Sequence, residues 1–532
     1  RLPILIARLG EGGFESSAAA GAFVALLSLS RGGSSIYPQD ILSVNQGSDS
    51  HQIRGVDAST QRAVTEKAKR LMSGEIKSSE QSQQLINPDS RITLEISDES
   101  SLLSENAICP RGVVTGDGDR WTSYFWELNQ LNEWRFFQGA TTQSRFFSGL
   151  EKVVDWSLQG KGMLRPGRDN LALGRPGVNV SLMRELPVTL YMGNFYDQTT
   201  ASITPLDSRD LLPLFAFCMS NSFSVEIRKI DQKLNVTPAT LIKIAFDLDY
   251  WKKIAAEEYP HGLPKPYAND PTQWIFHGHP CGSVIWNEET KWTTHGPLRT
   301  DDTVLQVAIA RLLGYRWPAE LDAEMELAEE QREWINRCEG VLGHADRDGI
   351  VCLPAVRGER RAVDRLEVLL ADAYGDQWSA TTRSKLLESV DHAGKDLGSW
   401  LSDKFFIQHC KLFQNRPFIW HIWDGLKDGF SALVNYHKLD YKSLETLTYT
   451  YLGDWITQQK KQISEGIDGA EARLAAAEAL QKSLELILEG EEPYDIFVRW
   501  KPLEEQPIGW HPDLNDGVRL NIRPFLSVPD VK

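Results

Sequence analysis

The chain has 532 residues and a mass of 60.0 kDa, a length that at roughly 150 residues per domain suggests about three or four domains. Its 41% hydrophobic and 24% charged residues exclude wholesale disorder, and no run approaches the roughly 18 uncharged apolar residues of a helical membrane span. With 57 basic against 73 acidic residues the net charge is −16, which in bulk speaks against a strongly basic nucleic-acid binder.

The first residues already read as packed structure. Positions 2–9 are apolar with β-branched content, as in a buried strand, and Gly10, Gly12 and Gly13 form a turn. The apolar, Ala-rich 17–30 stretch follows as a strand or short helix. Arg8, Glu11 and Glu15 interrupt the apolar character, so this is not a signal peptide. The glycine turn lacks both the G-x-G-x-x-G spacing and the lysine of a phosphate-binding loop and is expected to be a plain turn. Residues 1–30 therefore read as the final elements of a sheet whose other strands lie outside the given sequence. Residues 31–106 turn polar and read as a connecting region, with a helix over 60–72 and a strand over 91–96.

From 107 the style changes to short strands, glycine turns and aromatics, an antiparallel β-rich module. Between 109 and 190 ten Arg and Lys stand against eight Asp and Glu, whereas 301–400 holds twelve against twenty. The excess negative charge thus lies elsewhere, and a groove of modest positive potential is compatible with this module. Two turns are candidates for nucleic-acid contact: Thr115-Gly-Asp-Gly-Asp-Arg-Trp121 and Gly160-Lys-Gly-Met-Leu-Arg-Pro-Gly-Arg168. In the first, Gly116 and Gly118 let backbone approach a ligand closely, Arg120 reaches a phosphate or a guanine edge, and Trp121 packs at the rim. In the other reading of the same turn, Asp117 and Asp119 repel phosphate and Arg120 merely neutralises them. In the second turn, Arg165 and Arg168 are candidate phosphate contacts.

Three further groupings need chemistry assigned. His277-Gly-His279-Pro-Cys281 carries three metal-capable side chains in five residues, but no second cluster completes a tetrahedral set, and Pro280 holds its neighbours extended. No metal is expected there. His409-Cys410, His421 and His437 offer no evident third catalytic member, and Trp420-His-Ile-Trp423 reads as a tight aromatic core. The acidic stretch 320–337 reads as a helix with a solvated face, or as the cover of a basic surface. Six scattered cysteines suit a reducing, cytoplasmic compartment.

The C-terminal third reads as helical. Leu444, Leu447, Tyr451 and Trp455 step by three or four, as do Leu474, Ala477, Leu480, Leu484 and Ile487, and 466–469 supplies the turn of an antiparallel helical hairpin. After Gly490 the chain reads as extended, with a strand over 494–500 and an irregular tail.

Several long motifs carry a resemblance. Leu186-Pro-Val-Thr-Leu-Tyr-Met-Gly193, Arg228-Lys-Ile-Asp-Gln-Lys-Leu-Asn-Val-Thr-Pro-Ala-Thr-Leu-Ile-Lys243, Phe246-Asp-Leu-Asp-Tyr-Trp251, Pro271-Thr-Gln-Trp-Ile-Phe-His-Gly-His-Pro280, Arg416-Pro-Phe-Ile-Trp-His-Ile-Trp423 and Leu514-Asn-Asp-Gly-Val-Arg-Leu-Asn521 resemble, in order, the large bacterial DNA adenine-N6 methyltransferases of phage defence. These are the BREX-like and class 1 DISARM enzymes, the DISARM type being the more similar. Leu9-Gly-Glu-Gly-Gly-Phe-Glu-Ser16 resembles the last part of their methylase sheet. The resemblance runs nearly end to end and implies a multidomain α+β chain: the end of an α/β methylase sheet (1–30), a linker (31–106), a β-rich target-recognition module (107–251), a mixed, partly helical domain (252–440), a helical hairpin (441–490) and an extended C-terminal segment (491–532). It implies double-stranded DNA as partner, with other defence-system subunits beside it and no membrane, and the 115–121 turn resembles the one that opens the family's recognition module; with the second turn, the candidate DNA-binding residues are Thr115, Gly116, Arg120, Trp121, Arg165 and Arg168.

Such enzymes use S-adenosylmethionine and an Asn-Pro-Pro-Tyr type loop that holds the flipped adenine. Asn87-Pro-Asp and Asn269-Asp-Pro lack the aromatic, so no residue of this chain is nominated as catalytic or cofactor-binding. Both functions are expected upstream of Arg1, and the 532-residue chain alone is expected neither to methylate adenine nor to bind S-adenosylmethionine usefully. The competing class is a non-enzymatic DNA-binding or assembly scaffold of a defence complex. A hydrolase built on the His and Cys groupings would need bound metal.

Overall fold

The computed structural model describes residues 2–10, 24–30, 52–59, 61, 63–80, 101–231, 233–495, 500–502 and 505. It is a mixed α/β chain with several small sheets and many helices, divided into two compact units between which the backbone passes repeatedly. One unit comprises Arg1–Gly112, Ala140–Arg145 and Asp169–Pro260; the other comprises Val113–Gly139, Phe146–Arg168 and His261–Lys532. The stretch 107–251 therefore contributes chain to both.

In the first unit, β1 (Leu2–Gly10), β2 (Val24–Ser30), β3 (Gln52–Asp57) and β4 (Lys77–Glu80) form a sheet in the order β2-β1-β3-β4. β1 runs antiparallel to β2, with Ile6 opposite Leu27, and parallel to β3, with Ile6 opposite Gly55. The 31–106 region, which composition marks as connecting chain, thus supplies two strands, with the helix Val64–Ser73 between them. That helix buries Lys67, whose ammonium is satisfied by the Leu9 and Ala58 carbonyls at 2.5 and 3.2 Å. A buried amine needs such partners to offset its desolvation. The strand expected over 91–96, the one over 494–500 and the 507–524 tail lie wholly or mostly outside the described residues.

The same unit holds a second, antiparallel sheet ordered Val188–Tyr191, Gly177–Ser181, Thr200–Pro205 and Ala107–Ile108. Three of these strands are buried along their whole length. Leu211–Met219 packs on them and is apolar nearly all round, as a helix enclosed on every side must be. Its Phe217 meets Phe223, Phe246 and Trp251 at 5.1–5.5 Å between ring centroids.

The second unit carries the antiparallel strands Thr122–Tyr124, Lys152–Asp155 and Trp134–Gln138, and a sheet of Ile350–Cys352, Ser431–Asn435 and Ile419–Trp423. Beside the latter the helix Val304–Leu312 is buried at every position. Trp126, Trp274, Trp317, Trp400 and Trp420 fill the interior, and the indole N–H groups of Trp126 and Trp317 donate to the carbonyls of Arg416 and Pro271. The acidic stretch 320–337 is not one solvated helix. It breaks between Pro318–Leu321 and Glu329–Leu342, and Glu320 is buried against Arg311.

Further on, a π-helical turn, Thr446–Tyr451, leads into the helix Leu452–Ser464, which packs along Ala470–Glu489. Arg473 donates to Gln459 and Gln462, Lys460 pairs with Glu478, and Gln481 donates to the Thr448 carbonyl. Leu444, Leu447, Tyr451, Leu480 and Leu484 are buried along this contact. Leu484→Ala is expected to cost about 2–5 kcal/mol in urea unfolding, through lost burial and the cavity left behind, without a selective effect on DNA binding.

Candidate nucleic-acid interface

All six residues singled out as DNA-binding lie in the second unit, and the fold brings their two turns together. The Val114 N–H donates to the Arg165 carbonyl and the Arg165 N–H to that of Val114, both at 2.9 Å, while the Leu164 N–H donates to the Thr115 carbonyl. Two segments well separated in sequence thus form one backbone-paired ledge.

Glycines make the close approach possible. Gly162, at φ +103°, passes over the Trp121 ring, where a Cβ would come within 3.0 Å of the indole. Gly160, at φ +73°, lies where a Cβ would strike the Pro166 side chain at 2.4 Å. Both positions need a left-handed backbone and an absent side chain, so the ledge is fixed by sequence.

Asp117 caps the short turn Gly118–Trp121, accepting from the Arg120 N–H at 3.3 Å, and Thr122 donates from Oγ1 to the Gly118 carbonyl. Of the two carboxylates that would repel a phosphate, Asp117 is thus oriented towards its own turn, while Asp119 is exposed. The Arg120 guanidinium lies 5.0 Å from the Trp121 ring centroid, in cation–π geometry. Arg168 donates from Nε to the Gln159 carbonyl at 2.7 Å. Arg120, Arg165 and Arg168 are exposed, and among the described residues none of them forms an ion pair.

The six candidates therefore divide by position. Thr115 and Trp121 are buried, at 8% and 4% exposure, and shape the ledge without presenting a side chain. Gly116, at φ +82°, leaves its backbone open beneath Leu164. The three arginines present charge. Sequence reasoning passed over Lys161 and Leu164, which are exposed on the same loop; only their place among the glycines of 160–168 marked them.

The histidine and cysteine groupings have local explanations. His277 Nδ1 accepts from the His279 N–H at 2.9 Å, and His279 Nδ1 from the Gly282 N–H at 3.1 Å. Burial holds the His279 imidazole down at about 3, with the Arg311 and Arg299 charges adding to the effect. The thiols of Cys281 and Cys338 donate to the carbonyls of Ala373 and His277, and burial raises both to about 12. Among the described residues no group of three His, Cys, Asp or Glu is placed to hold a metal ion. His409 bridges Gln306 Oε1 and the Ile419 N–H, and burial holds it at about 3. His437 meets the Trp126 carbonyl at 2.7 Å. His421 and Trp423 are only half-buried, unlike Trp420 and Ile422, so the aromatic run is core on one face alone.

Of the glycine turn after β1, only Gly10 lies within the described residues. A Cβ at Gly10 would lie 2.9 Å from the Ser59 side chain, so the backbone packs closely at this position. No family model matches the chain, and no curated protein matches it significantly.

Proposed function

We propose that this chain is the DNA-recognition and C-terminal part of a site-specific, S-adenosylmethionine-dependent DNA adenine-N6 methyltransferase. It would mark host DNA in a bacterial anti-phage system, working in the cytoplasm beside other defence subunits. In this reading 1–30 are the final elements of a methylase domain, 31–106 connects them to the target-recognition module at 107–251, and 441–490 is a helical hairpin. One observation of the molecule supports the reading most: two glycine turns meet in a ledge that presents three exposed guanidinium groups with no ion pair among the described residues. Exposed arginines on a rigid backbone are suited to phosphate oxygens and guanine edges, because no carboxylate among the described residues competes for their guanidinium groups.

Fluorescence anisotropy with duplex DNA tests it. Arg120→Ala, at a base edge, is expected to cost about 1–3 kcal/mol and to relax discrimination at one position. Arg165→Ala and Arg168→Ala, at phosphates, are expected to weaken all duplexes alike, each reducing the salt slope by about one. The net charge of −16 implies few phosphate contacts, so log K should fall against log salt with a slope of about −3 to −5. Binding by all three variants indistinguishable from the parent chain would place recognition elsewhere.

The second reading is a DNA-binding or assembly scaffold without methyl transfer. Leu158 and Leu164, 56% and 71% exposed beside the arginines, favour it, since apolar side chains next to charge suit a protein neighbour as well as DNA.

A further inference from the structure

The second unit contains a cavity of about 670 Å³, within the size range of small-molecule sites. Its walls come from Leu397–Asp403, Phe405–Leu412, Ile419–Trp423 and Ser431–Asn435, together with the 424–430 loop. The two-residue period of a strand decides what faces it. Trp420 and Ile422 turn into the core at 2% and 0% exposure, while His421 and Trp423 line the cavity. Their rings lie 6.1 Å apart, tilted by 30°, as two neighbouring plates of an aromatic wall, and Phe406 meets His421 edge-on at 6.4 Å. Such a wall favours a planar ligand.

The polar groups narrow the class. Asp403 and Lys427 line the cavity from different elements, are exposed, and form no ion pair among the described residues; Asp403 accepts at Oδ1 from the Ser402 hydroxyl at 3.2 Å, which leaves lone pairs for a ligand. Asp428 is already held by Arg473 at 2.9 Å, and Ser431 Oγ lies 2.5 Å from His421 Nε2. One lysine beside two carboxylates disfavours a phosphate, so the ring of the ligand must supply the recognition. A carboxylate that accepts and an ammonium that donates match a heterocycle presenting adjacent N–H donors next to a carbonyl. Guanine has that edge. Adenine sets an acceptor nitrogen beside its amine, which a carboxylate repels, and pyrimidines offer less area to stack.

We infer that this cavity binds a guanine-type base, delivered as the neutral nucleoside or from single-stranded nucleic acid. The inference stands apart from the arginine ledge. Isothermal titration of the full chain with guanosine, adenosine and a short guanine-containing single strand tests it. Saturable guanosine binding is expected, with adenosine about tenfold weaker or more. Asp403→Asn, on the surface, is expected to lose about tenfold or more in guanosine affinity, the effect of removing a charged acceptor. Trp423→Ala is expected to lose roughly tenfold through stacking, with thermal melting as the check on folding. If the oligonucleotide competes with guanosine and binds more tightly, the base is presented by a strand; if only guanosine binds, the ligand is the free nucleoside. No binding of either at millimolar concentration, equal binding of adenosine, or unchanged affinity in both variants would overturn the assignment.

Discussion

Acidification from pH 7 to 5 is expected to destabilise the second unit by about 2 kcal/mol for each of His279 and His409, before His277 is counted. Burial is the first cause of all three depressed values: His279 and His409 are held at about 3 against an ordinary 6.5, and His277 is lowered too. The folded state keeps these rings neutral while the unfolded chain takes up protons below 6.5. Their stabilisation is therefore complete above that pH and is lost progressively down towards 3. Asp348 acts in the opposite direction. Burial and neighbouring Asp346 raise its carboxyl to about 6, so it binds a proton earlier when folded and offsets part of the loss between about 6 and 3.8. Thermal melts across this range should show Tm falling steeply below pH 6. His409→Gln, which removes one titrating ring, should flatten the slope by about one proton. A Tm independent of pH between 7 and 5 would mean the histidines are not buried as described.

The largest single-site loss of stability is expected at Glu320. Its carboxylate pairs with Arg311 at 2.8 Å, with side-chain exposures of 2% and 1%, and its other oxygen accepts from the Trp317 N–H at 2.9 Å. Glu320→Ala leaves the Arg311 guanidinium buried without its anion and should cost about 3–5 kcal/mol in chemical denaturation. Replacing both partners, Arg311→Met with Glu320→Leu, should cost markedly less, since no unpaired charge remains. Equal losses in the single and double variants would show that packing, not charge, accounts for the effect.

How much of this was legible in the sequence follows from the range of each signal. Local periodicity was readable: the strand at 2–9, the helix near 60–72 and the apolar stripes from Leu444 to Ile487 correspond to described elements wherever they are described. Long-range partnership was not. Nothing in the string of carboxylates after Pro318 marks Glu320 as the one facing Arg311, although Trp317-Pro-Ala-Glu320 carries the spacing of a helix cap. The connecting region 31–106 looked polar because β4 is mostly Lys, Ser and Glu, and its pairing with β3 is set by the sheet, not by its own hydrophobicity. At the ledge, the glycines at 116, 160 and 162 identified both turns, but only the fold showed that Val114 and Arg165 pair. Trp121 was placed at a rim and is covered, because Gly162 closes over it. At Trp420-His-Ile-Trp423 the aromatic composition suggested core throughout, whereas strand alternation gives half of it to a cavity.

In the proposed function the paired glycine turns meet DNA. Photo-crosslinking the chain to a bromodeoxyuridine-substituted duplex, followed by peptide mapping, asks this of the unmodified protein. Crosslinks are predicted within 115–121 and 160–168, weakening as salt rises and absent when Arg120, Arg165 and Arg168 are all alanine. Crosslinks confined to other segments, or unaffected by that triple substitution, would contradict it.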